Sequence, residues 1–100
     1  MNVLWSKNMK LVDANVILRY LLNDNQEMAQ QAKAVIEGGA YTEPEIIAEV
    51  VYVLKDVYHA TRADIRVFIQ EMLNSVRCVE SEAVTYAVDV YADTSLDFVD

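Results

Sequence analysis

One hundred residues (11.3 kDa) with 54% hydrophobic and 24% charged side chains, 2 Gly and 1 Pro suit one globular domain rather than a disordered or low-complexity chain. Sixteen acids against eight bases give a formal charge of −8 and a pI near 4.4, which argues against nucleic-acid binding through a general basic surface. One cysteine and one histidine exclude an internal disulfide, a Cys-based zinc site and two-His zinc motifs.

No stretch approaches the ~20 apolar residues of a membrane span, and residues 1–8 hold no apolar run of signal-peptide length. The expectation is a soluble, cytoplasmic protein, with residues 1–8 as an extension and a domain over 9–100. Lys10 to Asp13 reads as a short strand running into Val16 to Leu22, apolar nearly all round, as suits a helix covered on both sides. Asn23-Asp24-Asn25 is a turn and capping cluster. Residues 26–37 then form an Ala- and Gln-rich helix with Ala29, Ala32, Val35 and Ile36 on one side, closed by Gly38-Gly39. Ala40-Tyr41-Thr42 is a second short strand, and Pro44 opens the next helix, where its missing N–H costs nothing.

In the helix from 44 to about 58, Ile46, Ile47, Val50, Val51, Val53, Leu54, Val57 and Tyr58 fill an arc of ~160° at ~100° per residue. Glu49 stands just outside that arc, beside Val53. Thr61 to Asp64 is a capping box, followed by Ile65, Phe68, Ile69, Met72 and Leu73 at helical spacing. Ser75 to Val79 reads as a third strand, and Ser81 as the cap of a helix over 82–92 with Val84, Ala87, Val88 and Tyr91 aligned. Thr94 to Asp97 can cap one more helix, barely begun at Asp100. Short strands alternating with helix pairs predict an α/β fold with a parallel sheet.

Functional groups in such folds gather at the carboxyl ends of the strands. Asp13 stands there, readable as a helix N-cap or as a functional carboxylate, with Asn15 beside it. Glu49 alone reads as a solvated boundary residue, and Glu45 and Asp56 share its side of the helix, so its position does not single it out. Asp97 and Asp100 share a face, Asp97 also serving the capping box with Thr94. His59 reads as a helix-end residue, Cys78 as a small core residue, and the tyrosines at 20, 41, 52, 58, 86 and 91 as core and interface material.

In combination and order, three stretches resemble the PIN-domain nucleases, and among them the VapC-type toxins: Met9 to Leu21 with its Asp13-Ala14-Asn15, Glu45 to Leu54, and Leu96 to Asp100. The resemblance implies a three-layer α/β/α sandwich, with Asp13, Glu49 and Asp100 as catalytic metal ligands, Asp97 as a further ligand, and Asn15 positioning an acid or touching phosphate. It implies an endoribonuclease using Mg²⁺ or Mn²⁺, the toxin of a type II toxin–antitoxin pair, homodimeric and silenced by an antitoxin that inserts a basic side chain among the acids. Members run on for some thirty residues, so the last strand and part of the last helix are expected to be missing here. The alternatives are an inactive PIN-fold remnant that dimerises and binds an antitoxin, and an acidic α/β interaction module unrelated to nucleases.

Overall fold

The computed structural model describes residues 9–23, 25–78 and 80–94. The order is β1 (Lys10–Leu11), α1 (Ala14–Leu22), α2 (Gln26–Glu37), β2 (Ala40–Thr42), α3 (Pro44–Asp56), α4 (Arg62–Leu73), β3 (Arg77–Cys78) and α5 (Ser81–Asp93). The strands form one parallel sheet in the order β1-β2-β3, with Leu11 opposite Tyr41 and Thr42 opposite Cys78. Each crossover is a helix pair, so the fold is the expected helix-dominated α/β arrangement. Among the described residues no helix is long and apolar enough to cross a membrane.

Local chemistry sets the boundaries. Asn23, at φ 51°, ends α1, and Asn25 opens α2 by accepting the Met28 N–H on Oδ1 at 3.1 Å. Past α2, Gly39 takes φ 103°, a conformation that strains any side chain, and its carbonyl accepts the Lys10 N–H at 3.0 Å. Thr61 Oγ1 accepts from the Asp64 N–H at 3.1 Å, the expected cap of α4.

The core joins both crossovers. Ile17 of α1, Ile47, Val50 and Leu54 of α3, Ile65, Ile69 and Met72 of α4, and Val84, Val88 and Tyr91 of α5 are all buried. Arg62 binds α4 to α5: its guanidinium lies 4.1 Å from the Tyr91 ring centroid, and Nη1 donates to the Tyr91 carbonyl at 2.8 Å. Thr42, fully buried, donates from Oγ1 to the Val12 carbonyl at 3.3 Å, which ties the ends of β2 and β1 together.

Four local expectations change. The third helix stops at Asp56, because His59 turns left-handed at φ 57° and the Ala60 N–H folds back onto the Leu54 carbonyl; Val57 and Tyr58 are exposed instead of extending the core arc. Val35 is also exposed. Ser75 and Val76 donate to the Met72 carbonyl, so they close a turn, and among the described residues the third strand covers Arg77 and Cys78. Ser81 is the first residue of α5, not its cap; Glu80, at φ 57°, holds that position. Of the tyrosines, Tyr91 is buried, whereas Tyr52 and Tyr86 face solvent.

Candidate active site

Asp13 follows β1 and the buried Val12, at the carboxyl end of the sheet. Its backbone is extended, and Oδ1 accepts the Val16 N–H at 3.0 Å, satisfying one of the donors that the first turn of α1 leaves open. The capping reading is therefore realised, yet it occupies one carboxylate oxygen; the residue is exposed, and Oδ2 carries no hydrogen bond among the described residues. Such a group is anchored and still able to bind.

Asn15 lies on the first turn of α1, and Glu49 on α3. Both line one groove of about 290 Å³ between the two helices, together with Leu18, Arg19, Val53 and Tyr58. Glu49 stands next to Val53 at the margin between core and water, as its wheel position predicts. Asp97 and Asp100 lie outside the described residues. Among the described residues, no three His, Cys, Asp or Glu side chains come together closely enough to hold a metal ion.

Sequence reasoning passed over two features. Among the described residues, each of the three strands is followed by a helix whose N-cap position is acidic: Asp13 before α1, Glu43 before α3 and Glu80 before α5, of which Asp13 alone accepts a capping bond on its side chain. Carboxylates there sit favourably near the positive ends of the helix dipoles. Pro44 at the first helical position was the available signal for Glu43. The second feature is Arg19, hidden inside an apolar run, one turn after Asn15 on the same face of α1.

Burial raises the Cys78 thiol pKa from 9.0 to about 11, and the carboxylates of Glu80 and then Glu43 push the same way. Folding thus favours the protonated thiol: that contribution to stability is fully present below pH 9.0 and is lost as pH climbs through about 11. Iodoacetamide should modify Cys78 slowly at about pH 8 and faster as the thiolate forms above that. Fast labelling of the folded chain at the lower pH, read by mass spectrometry, would contradict this.

Comparison with known proteins agrees with the fold. The family model for the PIN domain matches residues 10–100. No curated protein and no solved structure is significantly matched. The match removes the alternative of an interaction module unrelated to nucleases. PIN domains are generally nucleases, and they generally use divalent metals. A parallel α/β fold of the expected kind and a match over nearly the whole length lead to one conclusion: the chain belongs to the PIN domain family.

Proposed function

We propose that the chain is a divalent-metal-dependent endoribonuclease, the toxin of a type II toxin–antitoxin pair, acting in the cytoplasm on RNA phosphodiester bonds. The observation that carries this reading is the groove between α1, which Asp13 caps, and α3, lined by Asn15 from the first helix and Glu49 from the second. Hard carboxylate oxygens suit Mg²⁺ or Mn²⁺, which keep several waters and bind through few protein ligands. Asp13, Glu49 and Asp100, with Asp97, would hold the ion. The chemistry supplied at such a site is a nucleophilic water at neutral pH and neutralisation of charge on the scissile phosphate.

The residues of the chain do the positioning. Asp13 is fixed by its bond to the Val16 N–H, so its carboxylate enters the reaction with little orientation left to lose. Asn15 offers an amide to orient a carboxylate or to hydrogen-bond a phosphate oxygen. The net charge of −8 supports a basic antitoxin, whose Arg or Lys would satisfy the same carboxylates in place of the ion. A homodimer completes the proposal.

The test is cleavage of single-stranded RNA with Mn²⁺, with Mg²⁺ and with EDTA, alongside thermal melting in the same ions. Cleavage should need the ion, and at a hundredfold excess over Kd the ion should stabilise the chain by about 2.7 kcal/mol. An inert chain whose melting no ion shifts defeats the enzyme reading. If that inert chain still dimerises, the remnant reading takes its place.

A further inference from the structure

The groove between α1 and α3 is lined by polar, charged and apolar side chains together. Besides Asn15 and Glu49 it is lined by Arg19, by the apolar Leu18 and Val53, and by Tyr58. A second groove of about 230 Å³, between α1 and α2, is also lined by Asn15 and Arg19. These two side chains therefore form the ridge common to both grooves. Arg19 is the cation of the α1–α3 groove, in a chain with only eight basic residues. Tyr58 lies just past the end of α3, 44% exposed, where the left-handed turn at His59 sends the chain back.

A planar guanidinium matches two oxygens of a phosphate at once. A half-exposed tyrosine ring offers a stacking face to an unpaired base, a common way for proteins to hold single-stranded RNA. We propose that the α1–α3 groove seats the single-stranded RNA that flanks the cut, with Arg19 gripping a backbone phosphate and Tyr58 stacking a base. This rests on the ribonuclease reading and deepens it. It also accounts for substrate capture by an acidic chain: attraction is concentrated at one guanidinium, one aromatic face and the ion site. Arg19 and Tyr58 bind substrate here and take no part at the reacting atoms.

Steady-state cleavage of a fluorescent single-stranded RNA in Mn²⁺ tests this, with wild type measured first and folding checked by circular dichroism. Arg19→Gln should raise KM with kcat held, and should flatten the dependence of log(kcat/KM) on log[salt] by about 0.7, the share of one phosphate contact on a single strand. Arg19→Lys should restore the salt dependence because the charge returns. Tyr58→Ala should raise KM about tenfold or more, and Tyr58→Phe should not, because stacking needs the ring and not the hydroxyl. If wild type cleaves while Arg19→Gln and Tyr58→Ala keep its KM and salt dependence, the inference is overturned and the groove is left to a protein partner. If wild type cleaves no RNA with any ion, the ribonuclease reading itself falls, and the inference with it.

Discussion

Asp13→Asn and Glu49→Gln should each lower RNA cleavage by roughly 10²–10³-fold, the loss seen when one preorganised electrostatic contact is removed from a reaction centre. The melting temperature should barely move. Asn caps a helix as well as Asp does, so Asp13→Asn keeps an acceptor for the Val16 N–H while it removes the charge. Glu49 is exposed at the groove margin and makes no core contact that Gln would lose. The pair therefore separates chemistry from folding at the very residue where the two roles overlap. Cleavage rates and melting curves on the same preparations decide it: a variant that cuts RNA like wild type takes its carboxylate out of the mechanism.

Ile17→Ala should produce the largest loss of stability, about 2–5 kcal/mol, through lost apolar transfer and the cavity left behind. Ile17 is fully buried on α1, midway between Asn15 and Arg19 in the chain. In a domain of this size each kcal/mol shifts the melting temperature by about 4–8 °C, so a fall of ten degrees or more is expected. Activity measured well below the new midpoint should also drop, since Asn15 and Arg19 would lose the packing that fixes their helix. A shift under a few degrees would mean that the core closes around the missing methylenes.

The fold was legible wherever one local rule acted alone. Asn25, an amphipathic run and Gly38 bounded α2 to the residue, and Thr61 opened α4 as its capping box required. Legibility failed where two rules competed. Val57 and Tyr58 continue the apolar period of α3, but the backbone reverses at His59 and leaves them in solvent. Serine is the better capping side chain, yet α5 begins after Glu80 in a left-handed conformation, which no composition rule anticipates at a glutamate. Site residues follow the same division. Asp13 announced itself by standing at the end of a strand before an apolar helix. Glu49 was equivocal on the wheel, since Glu45 and Asp56 share its side, and only the packing of α1 against α3 brings it to Asn15. Arg19 could not be read at all, because whether a cation within an apolar run faces a groove depends on helices distant in sequence.

The strands of two, three and two residues form a very small sheet, so the rigidity of its carboxylate-bearing corners is borrowed from the helices stacked around it. A molecule that clamps α1 against α3 would restrict the same motions that an ion at the corners must restrict. The two occupancies then become thermodynamically linked, each tightening the other by the same factor. Under the proposed function, substrate would recruit the ion as much as the ion recruits substrate, and the metal would bind more tightly with RNA present than without it.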